Sequence, residues 1–379
     1  MKTRTLAVML VTLLLVAGAA TLIIRQKTTE RASGIQGTRL LDPLPANEIV
    51  SITLTSAKET VSLVKRTDEW TVEDRFDYPA DFAKISDIVR KLKQAEIGRK
   101  FESSEETLKR LSLKDPNDPE TPEEQKGTRI DLKDKQGQLL ASVLLGKTRN
   151  AGTERSVPGG QYVRLDQDST VYLIDKHFAS LQTERSTWLE KRLVNVAAEE
   201  VKKIVCQSSD DKRVRYVLER PERDKELQLL EAPNGQQVKA SALNSLQRGL
   251  SSLRMEDVVN GSTLSHWTAK EFPARLEYQL FSGIIYRVYL GDQCTDARGC
   301  RLKLEVDYGQ LSKPDKETDE ETSGQPAQAS PDKTAEELAL EAKQLNERLS
   351  PWVYLVPKWQ HDAFVTDRDQ LLEKPDNTP

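Results

Sequence analysis

TRIDLKDKQGQLLASVLLGK (residues 128–147) and ARLEYQLFSGIIYRVYLGDQ (residues 274–293) follow one pattern, and this pattern predicts the fold. In each stretch, apolar and polar residues alternate over two runs, which is typical of strands with one buried face. A short turn separates the two runs, and Gly137 and Gly283 lie in the turns, where glycine adopts a positive φ without steric strain. Each stretch therefore predicts an antiparallel β-hairpin.

The segments around the hairpins also occur twice, which predicts a tandem repeat. EIVSITLT (48–55) aligns with EVKKIVCQ (200–207), and STVYLIDK (169–176) aligns with PWVYLVPK (351–358). Each copy also contains apolar residues three and four positions apart, the spacing of one face of an amphipathic helix. These residues are Ile85, Ile88, Leu92, Ala95 and Ile97 in the first copy, and Leu243, Leu246, Leu250, Leu253 and Met255 in the second.

The predicted fold class is α+β, with an N-terminal transmembrane helix followed by two tandem copies of an antiparallel-sheet-plus-helix module. Residues 1–27 are predicted to form a membrane anchor and residues 28–47 a linker. The first α+β repeat spans residues 48–191 and the second spans residues 199–374. Residues 375–379 form a tail.

The second repeat contains an acidic insert at residues 310–349. Residues 310–333 are poor in apolar residues and rich in proline, serine and acidic residues, which predicts a disordered linker. Thr334 and Glu337 then fit a capping box at the start of a helix. This helix carries a narrow apolar stripe, which we expect either to dock on its own domain or to bind a partner protein. The stripe consists of Leu338, Ala342, Leu345 and Leu349.

Residues 6–24, LAVMLVTLLLVAGAATLII, contain no charged residue and predict an uncleaved transmembrane helix. At about 1.5 Å per residue this helix is roughly 28 Å long, close to the thickness of the hydrocarbon core of a bilayer. A cleaved signal peptide is the alternative, but the apolar run continues beyond the small residues at positions 17–19. Because lysine and arginine flank both ends, the positive charges do not decide the orientation. The short basic N-terminus favours a single-pass membrane protein with its C-terminal domains outside the cytoplasm.

Composition excludes several classes of function. The 379 residues include 56 Lys and Arg against 60 Asp and Glu, and this net charge of -4 argues against nucleic-acid binding. Three cysteines are too few for a disulfide-rich scaffold or a four-thiolate zinc site. Cys294 and Cys300 have a spacing that a turn can bridge, so they either form a disulfide or are two unrelated thiols. Cys206 replaces an apolar strand residue and is predicted to be buried.

No motif predicts a catalytic, cofactor or metal site. The stretch Gly146–Thr148 reads GKT, but a phosphate-binding loop needs a further glycine at position 141, which is alanine. The residues before Gly146 are typical of a strand, and we expect Gly146 to end it. The three histidines, His177, His266 and His361, lie outside any zinc-binding frame. The sequence therefore predicts a protein that is not an enzyme and has no cofactor and no metal.

A set of motifs resembles a known family. The motifs are an EW-type turn at Trp70, YPADFAKISDIVRKLKQAEIGRKF (78–101), LKRLSLKDP (108–116), RIDLKDKQGQLLASVLLG (129–146) and VYLIDK (171–176). Together they resemble the bacterial domain-of-unknown-function family four-three-four-zero, which is often found beside ABC transporters of the gliding-motility auxiliary type. The resemblance covers most of residues 48–191. It implies a membrane-anchored, extracytoplasmic accessory protein without established catalytic residues.

Two hypotheses of function follow. The first is a non-enzymatic accessory protein that assists an ABC-type transport system through protein–protein contacts. Its partners are then the lipid bilayer, contacted through residues 6–24, and ABC transporter components or another envelope protein. The alternative is a periplasmic ligand-binding module for an envelope glycan or lipid. Neither hypothesis involves nucleic acid.

Overall fold

The chain divides into two compact units, Met1–Trp188 and Leu189–Pro379. The computed structural model describes residues 36–150, 158–166, 168–178, 181–231, 237–259, 272–295, 299–309 and 333–373. The predicted anchor, residues 310–332 of the predicted disordered linker and the predicted tail lie outside these residues. Among the helices that are described, none is long and apolar enough to cross a membrane.

The described part of the first unit contains a sheet of nine strands, and every pair of neighbours is antiparallel. The strands are β1 (Ser51–Thr55), β2 (Thr60–Arg66), β3 (Glu69–Val72), β4 (Tyr78–Pro79), β5 (Ile97–Glu102), β6 (Thr128–Lys133), β7 (Leu139–Asn150), β8 (Pro158–Leu165) and β9 (Thr170–Ile174). Their order across the sheet is β4-β3-β2-β1-β6-β7-β8-β9-β5. The predicted hairpin at 128–147 is β6–β7, with Gly137 in its turn at a φ of +79°.

The described part of this unit contains two α-helices, α1 (Phe82–Gln94) and α2 (Glu105–Arg110). Asp81 caps α1, since its side chain accepts a hydrogen bond from the N–H of Lys84. Ile85, Ile88 and Leu92 are buried along one face, as their spacing predicts. The prediction is wrong for Ala95 and Ile97, because α1 ends at Gln94 and Ile97 begins β5.

β7 continues through Asn150, so Gly146 lies within the strand and does not end it as predicted. The N–H of the next residue, Lys147, donates to the carbonyl of Leu111 at 2.8 Å. A Cβ at Gly146 would lie 2.4 Å from that same carbonyl oxygen. Glycine is therefore required at this position because the backbone after α2 approaches the strand closely.

The second unit has a main sheet of eight described strands and a separate pair, all antiparallel. The strands are β10 (Arg192–Val194), β11 (Val201–Ser208), β12 (Val214–Glu219), β13 (Gln228–Leu229), β14 (Leu253–Arg254), β15 (Asp257–Val259), β16 (Ala274–Leu280), β17 (Ile284–Thr295), β18 (Gly299–Tyr308) and β19 (Val353–Val356). The order in the main sheet is β13-β12-β11-β16-β17-β18-β19-β15, and β10 pairs with β14. The predicted α+β class with antiparallel sheets is confirmed.

Four α-helices are described in the second unit: α3 (Ala240–Gln247), α4 (Ala335–Leu349), α5 (Lys358–His361) and α6 (Arg368–Leu371). Leu246 is buried on α3, as predicted, but Leu250 lies beyond the end of that helix. Leu250 is nevertheless fully buried, in the turn that leads to β14. The helix register was therefore wrong from Leu250 onward, because the helix stops before Gly249, whose backbone packs closely against the Phe364 ring.

α4 confirms the helix predicted in the acidic insert, and its capping box is formed by Thr334 and Glu337. The helix packs on β17 and β18 of its own unit. Of its apolar stripe, Leu338, Ala342 and Leu349 are buried and Leu345 is half-buried. The structure thus shows the docked alternative. Binding of a partner protein through these four residues stays a prediction.

Candidate functional site

The first unit contains a cavity of ≈ 330 Å³ between α1 and the segment that follows β9. Its apolar wall consists of Ile88 from α1 and of Phe178, Leu181 and Trp188 from that segment. Small-molecule sites typically have volumes of about 300–1,000 Å³ and a mostly apolar lining with a few polar groups. The cavity matches that description and is the candidate functional site.

Trp188 is held in the cavity wall by its own backbone and its indole group. The indole Nε1–H donates to the carbonyl of Gln182 at 2.8 Å, and the Trp188 carbonyl accepts from the N–H of Asp81 at 2.7 Å. The ammonium group of Lys84 donates to the carbonyl of Thr187 at 2.5 Å. These bonds attach the segment to the N-terminal turn of α1 on one side of the cavity.

The charged groups around the cavity are paired with one another. Lys84 Nζ lies 3.4 Å from Asp81, and Lys91 Nζ lies 2.8 Å from Asp87. Arg90 also contacts Asp87, at 2.5 Å. The hydrogen bond from Lys91 is the main cause that lowers the pKa of Asp87, so this carboxylate stays ionised and occupied. The rim is therefore ionic but has no unpaired charge to offer a ligand.

A second cavity, of ≈ 180 Å³, adjoins the first and shares Phe178 and Leu181 with it. The second cavity is more polar. Its lining includes Ser112, Thr128, Gln161, Lys126 and Lys147. The first cavity therefore has its apolar wall beside Trp188, and the second contains two lysines.

Gln161 positions Phe178, a side chain that lines both cavities. Its side chain is buried, its Nε2 donates to the carbonyl of Gly146 at 2.8 Å, and its Oε1 accepts from the N–H of Phe178 at 2.8 Å. One buried amide thus joins β8 to β7 and to the segment after β9. Because an unpaired buried polar group is costly, these two bonds hold Phe178 in a definite position.

Cys294 and Cys300 are joined by a disulfide across the β17–β18 hairpin, with their Cα atoms 4.1 Å apart. Nδ1 of His361 lies 3.9 Å from Cys294 Sγ, and its Nε2 lies 3.1 Å from the carbonyl oxygen of Gly291. Burial lowers the pKa of His361. Although the three side chains lie close together, sulfur atoms in a disulfide are not thiolate ligands, so this cluster cannot bind zinc while oxidised.

The remaining cysteine and histidines lie apart from both cavities or outside the described residues. Cys206 is buried on β11, as predicted, and burial raises its pKa to about 12, so its thiol is not nucleophilic at neutral pH. His177 is exposed. His266 lies outside the described part of the chain.

The sequence did not predict the cavity residues. Phe178, Leu181 and Trp188 follow the last strand of the first repeat in a stretch without regular periodicity. Gln161 left a trace in the sequence, since it is a polar residue at an inward-facing strand position that alternates with the buried Val163. A polar residue in such a position indicates a buried hydrogen-bonding role.

A family model for a domain of unknown function, DUF4340, matches residues 70–271, which is more than half of the chain. The chain belongs to this family. The resemblance stated from the motifs is confirmed, although the DUF4340 match begins later than residue 48 and extends into the second unit. Both cavities lie within the matched region. No curated protein and no solved structure matches the chain.

Proposed function

We propose that this DUF4340 protein is a membrane-anchored, extracytoplasmic accessory protein without enzymatic activity. In this proposal it assists an ABC-type transport system through protein–protein contacts, with residues 6–24 spanning the inner membrane and both units in the periplasm. The Cys294–Cys300 disulfide is the main observation that supports a location outside the cytoplasm, because disulfides persist in oxidising compartments and are rare in the cytosol. The uncharged N-terminal run supports the anchor.

We also infer that the two units are copies of one module. In the first unit β3-β2-β1-β6-β7-β8-β9-β5 follow one another across the sheet, and β13-β12-β11-β16-β17-β18-β19-β15 do so in the second. Counterpart strands of the two series follow the same relative order along the chain. Two similar modules on one tether would raise the effective concentration for a multi-part partner.

The anchor is tested by alkaline extraction of membranes from cells that produce the full-length protein. The protein should stay in the pellet, and mass spectrometry should recover an N-terminal peptide that begins at Met1 or Lys2. A charge in the middle of a transmembrane helix opposes insertion by about 2.5–3.5 kcal/mol, so Leu14→Arg should increase extraction whereas Leu14→Ile should not. A mature N-terminus near Ala20 would contradict the anchor.

The accessory role is tested by site-specific photo-crosslinking in living cells. Trp359 and Phe82 are large apolar side chains that are 72% and 62% exposed, so they are suitable positions for the photoreactive residue. Capture of an ABC-type permease or ATPase subunit supports the proposal. If a photoreactive residue at the exposed hairpin position Lys135 captures the same proteins, the proposal is contradicted. It is also contradicted if no permease or ATPase subunit is ever captured.

The second candidate function is a ligand-binding module for an envelope glycan or lipid, and the cavity between α1 and Trp188 favours it. Native mass spectrometry of the protein released from membranes tests this function. A retained small molecule that Ala83→Phe removes would support the cavity as its site, because Ala83 lines it and is exposed.

A further inference from the structure

We propose that the two adjoining cavities of the first unit form one binding site for a fatty acid. The hydrocarbon chain lies in the cavity beside Trp188, and the carboxylate lies beside Lys126 and Lys147 in the second cavity. This inference rests on the second candidate function and names its ligand. It follows from the distribution of apolar surface and unpaired charge along the two cavities.

Phe178 and Leu181 line both cavities. A ligand that occupies both cavities must therefore be elongated and must contact these two apolar side chains. The cavity beside Trp188, at ≈ 330 Å³, is at the low end of the range of about 300–1,000 Å³ for ligand sites. This size suits one hydrocarbon chain better than the two chains of a phospholipid.

The end beside Trp188 fits a hydrocarbon chain and not a sugar. The indole N–H donates to Gln182, and the two lysines of the rim are bonded to Thr187 or paired with Asp81 and Asp87. A glycan would need free donors and acceptors here, since its hydroxyl groups lose their bonds to water on entry. A methylene chain only requires apolar surface, and each buried methylene contributes about 0.8 kcal/mol.

The other end carries positive charge. Neither Lys126 nor Lys147 forms an ion pair with any described residue, and the residues that line this cavity include no carboxylate. Lys126 is half-buried and Lys147 is exposed, and both line this cavity. The pKa of Asp118 is lowered mainly by the hydrogen bonds that its carboxylate accepts from the Thr121 hydroxyl and from the N–H of Glu120, and the charges of Lys114 and Lys126 contribute less.

An acidic head group therefore has a specific place. Two ammonium groups can bind one carboxylate through charge-assisted hydrogen bonds. The Ser112 hydroxyl donates to the carbonyl of Glu124 at 2.5 Å, so it is not a donor to the ligand. Thr128, which is half-buried in the same cavity, has a hydroxyl that can donate instead.

The test uses the full-length protein in its own membranes and a hexadecanoic acid probe with a diazirine at the end of its chain. After irradiation, mass spectrometry locates the labelled peptides. We expect labelling of α1 and of residues 181–188. The double variant Lys126→Ala/Lys147→Ala should lower this labelling on the order of tenfold, since each bond to a charged group is worth more than a neutral one. The alcohol with the same chain and diazirine should label the same peptides about tenfold less than the acid.

Matched variants separate the site from general effects. Ala83→Phe should reduce labelling because Ala83 lines the cavity, whereas Ser86→Phe, on the same helix and outside the lining, should not. Lys135→Ala, in the exposed turn of the β6–β7 hairpin, controls for the loss of positive charge. Trypsin resistance of each variant shows that it is folded.

The outcomes distinguish the ligand from the site. If acid and alcohol label the cavity peptides equally and the lysine variants change nothing, the cavity binds ligands but the fatty-acid inference is overturned. If neither probe labels these peptides, or if label is found only in residues 6–24, both the inference and the ligand-binding function fail.

Discussion

The side-chain oxygen of Asn346 on α4 accepts a 2.9 Å hydrogen bond from the backbone N–H of Val306 on β18. Val306 is buried, and β19 pairs with β18 only at Cys300–Leu302. The Asn346 side chain on the helix therefore supplies the hydrogen-bond acceptor that β19 does not provide at Val306. A buried N–H without an acceptor would be costly. The helix of the acidic insert is therefore part of the second unit and covers one edge of β18.

This packing makes a prediction that separates the two faces of α4. Leu338→Ala should destabilise the second unit by about 2–5 kcal/mol, because Leu338 is buried and its truncation leaves a cavity. Leu340→Ala, two residues away and 55% exposed, should change stability by no more than about 0.5 kcal/mol. Urea denaturation followed by pulse proteolysis of the full-length protein measures both. Equal effects of the two variants would show that α4 is not docked as described.

Gln161 provides a second prediction, in the first unit. Gln161→Leu removes one donor and one acceptor and leaves the Gly146 carbonyl and the Phe178 N–H unpaired. We expect a loss of about 1–3 kcal/mol per unpaired buried group and faster hydrogen exchange at Phe178. Gln136→Leu, in the exposed hairpin turn, is the control and should leave both quantities unchanged. Unaltered hydrogen exchange at Phe178 would mean that the Gln161 side chain does not hold Phe178 in place.

Periodicity predicted the helices and strands in which buried and exposed residues follow a regular spacing. The alternation in β6–β7 and β16–β17 and the capping box at Thr334 needed only local information. The end of α3 did not follow from spacing, because the contact of Gly249 with Phe364, far apart in sequence, decides it. Likewise, Gly146 is within a strand because the backbone at Leu111 lies against it.

The candidate site was less predictable than the fold. Its wall residues Phe178, Leu181 and Trp188 are apolar residues that could equally fill a core. Whether such residues enclose a space depends on how the segment after β9 packs on α1, which no local pattern encodes. Nothing in the local sequence distinguishes Lys126 and Lys147 from other charged residues. Only the fold shows that both line one cavity.

The cysteines provide a third prediction. Burial raises the pKa of Cys206 to about 12, so this thiol stays protonated and unreactive at neutral pH. With Cys294 and Cys300 in a disulfide, the native, non-reduced protein should bind no maleimide, and the unfolded protein should bind one. Intact-mass spectrometry counts the adducts. Adducts on two or more cysteines in the unfolded, non-reduced protein would show that the disulfide is absent.

The last prediction concerns alkaline pH and connects α4 to the sheet once more. Burial raises the pKa of Tyr286 to about 12, and Glu341 on α4 adds to this rise. The folded protein therefore keeps the phenolic proton to a higher pH than the unfolded chain, in which tyrosine titrates near about pH 10. Stability from this group is complete below about pH 10 and declines between about pH 10 and 12, because there the unfolded state binds fewer protons.

Urea midpoints of the second unit should fall over this range. Tyr286→Phe should reduce this loss of stability by about 2–3 kcal/mol at about pH 12, and it should leave the pH dependence below about pH 9 unchanged. Other groups also titrate in this range, so the difference between the two proteins is the decisive quantity. The same slope in both would mean that Tyr286 is accessible to water, which is incompatible with a helix packed on β17.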